Sequence, residues 1–175
     1  MTKLRRRMRA LPLLALALVA VGGAGVYAQR NYVVSREASR PEVKITLAGV
    51  VERGSERVAL DQAGAVRPGE LLDWTLTSEN DGTGAAREFK ATGQIPPGTV
   101  FVAGSTTADG AASVTYSIDH GQSFSAQPTI EVRQADGSLK RVPAPVALYT
   151  QVRYEWADPL AAGGKLTAAY QVRVK

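Results

Sequence analysis

Apolar and polar residues alternate along the chain from position 43 to its last residue. Val43, Ile45 and Leu47 are each followed by a polar or small residue, and the same period of two recurs at 72–76, 114–118, 130–132, 139–142, 152–156 and 166–174. This period places successive side chains on opposite faces of a β-strand. No window after position 43 repeats apolar residues at the spacing of an amphipathic helix. The pattern therefore predicts strands throughout this region.

The spacing of these segments predicts the fold class. Strands of about 5–8 residues that recur roughly every ten residues are typical of an all-β, immunoglobulin-like antiparallel β-sandwich with about 7–9 strands. Trp74 and Trp156 fall on the apolar phase of their strands, so both are predicted to be core residues. The stretch 125–150 is the least regular, and its prolines predict an edge strand or a surface excursion because proline cannot donate to a sheet ladder.

Several turns can be predicted from residue type. Pro97 and Gly98 suit a type II turn, in which proline presets φ and glycine takes positive φ. Residues 135–138, Ala-Asp-Gly-Ser, predict a hairpin connection between two strands. Gly82 and Gly84 are expected to supply positive φ to the turn that follows the apolar segment at 72–76.

The first 28 residues have the organisation of a secretory signal peptide. Five basic residues and no acidic residue occupy 1–10, an apolar run covers 11–21, and glycines lead to Ala28. This is the order of an export signal, and the apolar run is shorter than the roughly 20 residues of a membrane span. We predict a signal-peptide helix at 1–28 cleaved after Ala28, a tether at 29–42 and one domain at 43–175. An uncleaved membrane anchor is the alternative.

Charge and cysteine content exclude several classes of function. The chain has 21 Lys+Arg and 16 Asp+Glu, and without the five basic residues of the leader the two charges balance at 16 each. A nucleic-acid-binding domain needs a basic stripe on its folded part, so we expect no nucleic-acid partner. The absence of cysteine excludes disulfides, thiolate metal sites, cysteine nucleophiles and a lipoprotein anchor.

The turns arrive in an order that resembles a known family. They are VRPGE at 66–70, ENDGTG at 79–84, IPPGT at 95–99, FVAGS at 101–105, YSID at 116–119, RYEW at 153–156 and YQVRV at 170–174. The series is similar to the bacterial and archaeal surface module called domain of unknown function 11, over nearly all of 43–175. Gly93-Gln94 and 161–164 depart from its usual turns. The resemblance implies an immunoglobulin-like fold on an exported or surface protein, without a biochemical role.

Residues 117–124, SIDHGQSF, resemble the Asp-box S-x-D-x-G-x-T-W, with Ser and Phe at the last two positions. The box is known from sialidases, but a propeller enzyme needs a copy in each blade and this chain has one. We interpret the segment as a structural hairpin clamp made by Ser117, Asp119, Gly121 and Phe124. Asp119 is expected to accept backbone N–H groups, and Phe124 to anchor the turn in the core.

The sequence contains few candidate catalytic residues. His120 is the one histidine, and no Gly-x-Ser-x-Gly elbow accompanies it, so a Ser-His-Asp triad is not expected. We expect no catalytic residue and no cofactor. A small hydrolase with a Ser–Lys or paired-carboxylate mechanism, with Asp119 and Glu155 as candidates, is the least favoured alternative.

A loop site for calcium is the stronger alternative, because calcium takes oxygen ligands from loops. Asn80, Asp81 and Thr83 are the candidate ligands, although no D-x-D-x-D run is present. A Lys–Asn cross-link between Lys44 and Asn80 is a further alternative, but Lys44 falls on the polar phase of its strand.

These observations favour a non-catalytic, exported module of the cell envelope or exterior that acts in adhesion, assembly or scaffolding. Its expected partners are envelope or extracellular proteins or glycans, and membrane contact is expected only through an uncleaved leader. A glycan- or calcium-binding module is the alternative function.

Overall fold

The computed structural model describes residues 39–175, so the predicted signal peptide, the cleavage site after Ala28 and most of the predicted tether lie outside the described residues. A short 3-10 helix, Val146–Leu148, follows the ninth strand, and no helix in 39–175 is long and apolar enough to cross a membrane. The strands in chain order are β1 (Val43–Arg53), β2 (Glu56–Ala59), β3 (Leu71–Asn80), β4 (Lys90–Gln94), β5 (Thr99–Phe101), β6 (Thr107–Ala108), β7 (Ala112–Ser117), β8 (Thr129–Arg133), β9 (Leu139–Pro143), β10 (Gln151–Trp156) and β11 (Lys165–Val174).

Two antiparallel sheets form the sandwich. The first has the order β2-β1-β3-β11-β5 with β6 also paired to β11, the second has the order β4-β10-β7, and β8 and β9 form a separate two-stranded ribbon. The predicted all-β antiparallel sandwich is confirmed. The described residues contain more strands than expected because β2 and β6 are only four and two residues long, too short to show alternation in the sequence.

The layering is immunoglobulin-like, but two strands exchange places. If β1, β3, β4, β5, β7, β10 and β11 are lettered A to G, the sheets have the orders A-B-G-D and C-F-E. A constant-type immunoglobulin domain has A, B, E and D in one sheet and C, F and G in the other. Here the C-terminal strand β11 lies in the middle of the larger sheet, where it pairs with β3, β5 and β6. The larger sheet is therefore complete only when β11 has paired with β3 on one side and with β5 and β6 on the other.

The core lies where β10 faces β3 and β11. Val152, Tyr154, Tyr170 and Val172 are fully buried, and Trp156 is only 6% exposed, which confirms its predicted core position. The rings of Trp156 and Phe89 stack with centroids 5.4 Å apart. Burying one such large apolar side chain contributes about 1.5–3 kcal/mol, so each of these residues adds to the stability of the fold.

Trp74 is on the inner face, as predicted, but it is only partly buried. It pairs with Gly49 of β1, on the side of the first sheet that the three-stranded second sheet does not reach. A Cβ on Gly49 would stand 2.4 Å from Leu60 Cδ1 and 2.9 Å from Trp74 Cζ3. The loop that contains Leu60 therefore covers this tryptophan in place of a strand.

Two tyrosine hydroxyls tie the sheets together. Tyr154 in β10 donates to the carbonyl of Ala169 in β11 at 2.6 Å, and Tyr170 in β11 donates to the carbonyl of Gln94 in β4. A Cβ on Gly93 would lie 2.4 Å from Tyr170 Cε1, so only glycine leaves room for the ring. Burial raises the pKa of both tyrosines, which keeps each hydroxyl protonated as a donor.

The predicted turns are confirmed at two places. Gly98 has a φ of 81°, and the N–H of Thr99 donates to the carbonyl of Pro96 at 3.1 Å, as a type II turn requires. Residues 135–138 join β8 to β9, and Gly137 has a φ of 86°.

The expectation for Gly82 and Gly84 is wrong. Neither has positive φ, and both are instead required by the close approach of another segment. A Cβ on Gly82 would lie 2.3 Å from the carbonyl oxygen of Arg40, and one on Gly84 would lie 2.7 Å from Ser39 Oγ. The chain just before β1 is thus pressed against this turn, backbone to backbone.

Removing the Tyr154 hydroxyl should weaken the link between the sheets. We expect Tyr154→Phe to lower the free energy of unfolding by about 1–2 kcal/mol, because the partly buried carbonyl of Ala169 loses a donor. Urea denaturation measures the change. Tyr149→Phe is the matched control, since the Tyr149 hydroxyl makes no hydrogen bond to the described residues. Equal losses in the two variants would contradict this assignment.

Candidate functional site

The turn after β7 is organised by a serine and an aspartate. Ser117 is buried, and its hydroxyl donates to Asp119 Oδ1 at 2.7 Å while it accepts the N–H groups of Asp119 at 3.2 Å and Gly121 at 2.8 Å. Asp119 in turn accepts the N–H of Ser123 at 2.9 Å and its hydroxyl. These hydrogen bonds from Ser123 and Ser117 lower the pKa of Asp119 from 3.8 to about 2. The carboxylate of Asp119 therefore stabilises the turn through hydrogen bonds within it.

Phe124 does not anchor this turn in the core, contrary to the sequence-based interpretation. It is half-buried, and its ring lies under the guanidinium of Arg153, whose Cζ is 3.4 Å from the ring centroid. Arg153 alternates along β10 with the buried Val152 and Tyr154, so it projects from the outer face of the sheet. The clamp therefore closes against the outer face through a cation–π contact.

His120 lies at the exposed corner of the same turn. Its φ is 57°, and its backbone N–H donates to Thr150 Oγ1 at 3.1 Å. The imidazole makes no hydrogen bond to another side chain or backbone group of residues 39–175. Its neighbour Gly121 has a φ of 89°, which suits glycine.

Two of the three calcium candidates, Asn80 and Thr83, are occupied by backbone groups. Asn80 is buried, its Oδ1 accepts the N–H groups of Glu42 at 3.0 Å and Gly82 at 3.2 Å, and its Nδ2 donates to three carbonyls, among them those of Gly84 and Leu160. Thr83 Oγ1 accepts the N–H of Arg40 at 3.3 Å, whereas Asp81 is exposed. In 39–175 no three His, Asp or Glu side chains gather as a metal site. This cluster joins the end of the tether to β3.

The residues considered for a Lys–Asn cross-link or a carboxylate pair point in different directions or are bonded to other residues. Lys44 is exposed and lies one position beyond Val43, the residue paired with Asn80, so it points to the other face of the sheet from Asn80. Glu155 pairs with Lys90 across the outer face at 3.0 Å, while Asp119 is held in its own turn. Neither a Lys–Asn cross-link nor a carboxylate pair has its two groups placed together.

A cleft of about 310 Å³ lies beside the clamp, lined by residues of 94–99 and 147–150 together with His120 and Lys175. Tyr149, the aromatic residue of the cleft, stacks on Phe101 with a centroid distance of 5.9 Å and packs in a tilted arrangement on Tyr116 at 4.8 Å. This tyrosine is engaged in packing on the core, so it is not a free platform for a sugar ring.

The ribbon β8–β9 is the most exposed element of the described chain. Every residue from 131 to 141 is exposed, and Leu139 and Val132 keep 61% and 38% of their surface in contact with solvent. Cross-strand pairing puts Ile130, Val132, Val142 and Lys140 on one face. Leu139 pairs with Arg133 and lies on the opposite face. An isolated two-stranded ribbon is at best marginally stable in water, and exposed apolar side chains are typical of an interaction surface.

The base of the ribbon is fixed to the sandwich. The N–H of Ala144 donates to the carbonyl of Pro128 at 2.8 Å, and both residues are buried. Ser125 forms an antiparallel bridge with Tyr116 of β7, with N–H···O distances of 2.8 and 3.0 Å. The Ser117–Asp119 clamp lies inside the loop closed by this bridge, so it sets the direction in which the chain leaves for the ribbon.

Sequence reasoning predicted the hairpin turn at 135–138 and an edge strand or surface excursion at 125–150, but not that the ribbon is separate from both sheets. Its alternation at Ile130 and Val132 looked like that of a core strand, because alternation alone does not show whether a second sheet covers the apolar face. The available signal was the pair of prolines, Pro128 and Pro143, that bracket the hairpin.

No protein-family model, curated protein or solved structure matches this chain. The resemblance to domain of unknown function 11 therefore stays a prediction from the order of the turns. Fold and surface together define an all-β sandwich with a projecting ribbon.

Asn80 should be essential for stability and independent of calcium. We expect Asn80→Asp to lower the free energy of unfolding by about 2–4 kcal/mol, because a buried carboxylate would face the carbonyls of Gly84, Leu160 and Ala161. The exposed control Asp81→Asn should change it by less than about 0.5 kcal/mol. Thermal melting with and without calcium chloride completes the test, and a calcium-dependent rise in Tm that Asp81→Asn abolishes would contradict the structural role.

The clamp predicts a specific pH dependence of stability. Because folding lowers the pKa of Asp119 to about 2, its contribution is complete above about pH 4 and is lost as the pH falls through the folded value. Asp119→Asn should therefore be less stable than the parent at neutral pH, and the difference should shrink towards about pH 2. Urea midpoints across this range measure it. Asp81→Asn is the control and should leave global stability unchanged at every pH, because the Asp81 side chain is exposed and makes no hydrogen bond within residues 39–175.

Proposed function

We propose that this chain is a non-catalytic, exported module of the cell envelope or exterior that acts in assembly or adhesion by binding a protein through the ribbon β8–β9. The observation that carries the proposal is the exposure of this ribbon, with an exposed apolar side chain on each face, Val132 and Leu139, and two unpaired strand edges within the described residues. The leader pattern and the resemblance to a surface-module family support export.

The ribbon has the two features that bind extended or flat protein partners. Its strand edges offer backbone N–H and C=O groups to a further strand, which gives main-chain hydrogen bonds. Val132 on one face and Leu139 on the other can each bury surface that is now in water, at about 25 cal/mol for each Å² covered. Arg133, Lys140 and Arg141 place charges around these apolar positions, as in the polar rim of an interface.

The other polar clusters described above stabilise the sandwich, which leaves the binding of a partner to the ribbon. The clamp, the Asn80 joint and the two tyrosine hydroxyls all use their polar atoms inside the sandwich. They stabilise a scaffold that holds the ribbon away from the core. A protein that works by presenting a surface needs this rigidity more than it needs an open pocket.

Replacing exposed apolar residues of the ribbon should reduce binding without unfolding the domain. We expect Val132→Ser with Leu139→Ser to lower binding to isolated envelope fractions at least about tenfold, because both side chains are exposed and available for contact. Tm should change by less than about 2 °C. Pull-down of envelope fractions by the chain, followed by mass spectrometry, measures the binding.

Leu148→Ser provides the matched control, since Leu148 is also an exposed apolar residue, at 45%, but lies on the 3-10 helix outside the ribbon. It should bind as the parent does. The proposal fails if the ribbon variant retains full binding, or if the Leu148 variant loses as much.

A further inference from the structure

The first sheet is wider than the second, and part of its inner face has no cover among the described residues. Ile45 and Leu47 of β1 pair with the buried Ser78 and Leu76 of β3, so they point to the same inner face. They are nevertheless 47% and 42% exposed. The second sheet ends at β4, whose Gly93 lies against Tyr170 of β11, and it does not extend over β1.

The strand that borders this uncovered face has an unpaired side. The N–H of Ile95 donates to Thr150, and the carbonyl of Phe89 accepts from Trp156, so the odd-numbered residues of β4 direct their backbone groups to β10. Lys90 and Thr92 therefore direct theirs away from β10, because the two directions alternate along an antiparallel strand. Within 39–175 no strand pairs with this side. We call this side of β4, together with Ile45 and Leu47, the open edge.

The open edge has room for one more strand. Neighbouring strands in a sheet lie about 4.8 Å apart, so a strand added to β4 would lie one position outward, over β1. Alternate side chains of that strand would point down onto Ile45 and Leu47. Lys90 does not block the site, because its ammonium group is 3.0 Å from Glu155 on the outer face.

We propose that the open edge binds strand β8 from the ribbon of a second copy of this chain. Both β8 and β4 have five residues, and each has one unpaired side within the described residues. Ile130 and Val132 lie on one face of β8, two positions apart, as Ile45 and Leu47 do on β1. Docking would cover all four apolar side chains and satisfy the backbone groups of Lys90 and Thr92.

Charge distinguishes β8 from β9 as the docking strand. β4 carries Lys90 and no acidic residue, and β9 carries Lys140 and Arg141, so pairing β4 with β9 would gather three cations. In contrast, β8 contains Glu131 and Arg133, which balance. Only the β8 face also presents two apolar residues from the same strand.

The placement of the two elements favours contact between copies over contact within one chain. The ribbon leaves the sandwich beside β7, whereas the open edge lies beyond β4, and β7 and β4 are the opposite margins of the second sheet. The contact is therefore head-to-tail, and repeated contacts build an open chain of copies in which each second sheet is extended by the ribbon of the next copy. This inference rests on the proposed function, since it names a second copy as a partner of the ribbon.

Sedimentation of the purified chain, as the cell produces it, tests the contact. We expect the weight-average mass to rise with concentration, and Thr92→Pro to weaken this association at least about tenfold. Proline removes the N–H that faces the open edge and leaves the pairing with β10 intact. Thr92→Val, which keeps the N–H, should associate as the parent does. A concentration-independent monomer, or equal association of the proline variant, overturns the inference.

The absence of cysteine allows a second test that does not depend on the stability of one variant. Glu131→Cys and Thr92→Cys, each the middle residue of its strand, are made in separate chains and mixed under mild oxidation. The mixture should form a disulfide-linked heterodimer, whereas Glu131→Cys with Thr46→Cys, on the outer face of β1, should not. Equal cross-linking of both pairs overturns the inference. Loss of envelope binding in the ribbon variant without any self-association would leave the proposed function standing and this inference rejected.

Discussion

Two phenol hydroxyls buried between the sheets need acceptors, and this requirement fixes how the sandwich closes. Tyr154 reaches from β10 to the backbone of β11, and Tyr170 reaches from β11 to the backbone of β4. Each bond crosses from one sheet to the other, so the two sheets cannot slide without leaving a buried polar group unpaired. Gly93 is part of the same arrangement, because any larger side chain would displace the ring of Tyr170. Without cysteine, these contacts and the apolar core carry the stability.

The position of β11 follows from the same arrangement and shapes the surface. Because β11 occupies the middle of the first sheet, β7 rather than the last strand completes the second sheet. The chain then leaves β7 through the Ser117–Asp119 clamp and forms the ribbon before it returns as β10. The second sheet has only three strands, so the inner face of β1 extends beyond it. The ribbon and the open edge, the two proposed interaction surfaces, thus both follow from the position of β11 in the first sheet.

The sequence could predict the elements that alternate, and it could not predict which of them lie opposite one another. The strands that contain Trp74, Trp156 and Tyr170 and the turn at Gly98 were all evident from side-chain period and turn chemistry. Strand β4 could not be predicted, because its sequence Lys-Ala-Thr-Gly-Gln has no alternation of large apolar residues. Its small residues leave room for the ring of Tyr170. Among the candidate site residues, the clamp is assembled around Asp119, as predicted. Phe124 lies on the outer face under Arg153. This contact could not be predicted, because the two residues are distant in sequence.

Amide hydrogen exchange on dilute protein tests most directly whether the tyrosine-linked strands form the closed core while the ribbon stands outside it. The structure predicts the slowest exchange at the amides of Tyr154 and Tyr170, at the rate of global unfolding. Amides of 131–141 should exchange at least about a thousandfold faster, through local opening. Ribbon amides that exchange as slowly as those of β10 and β11 would contradict the account.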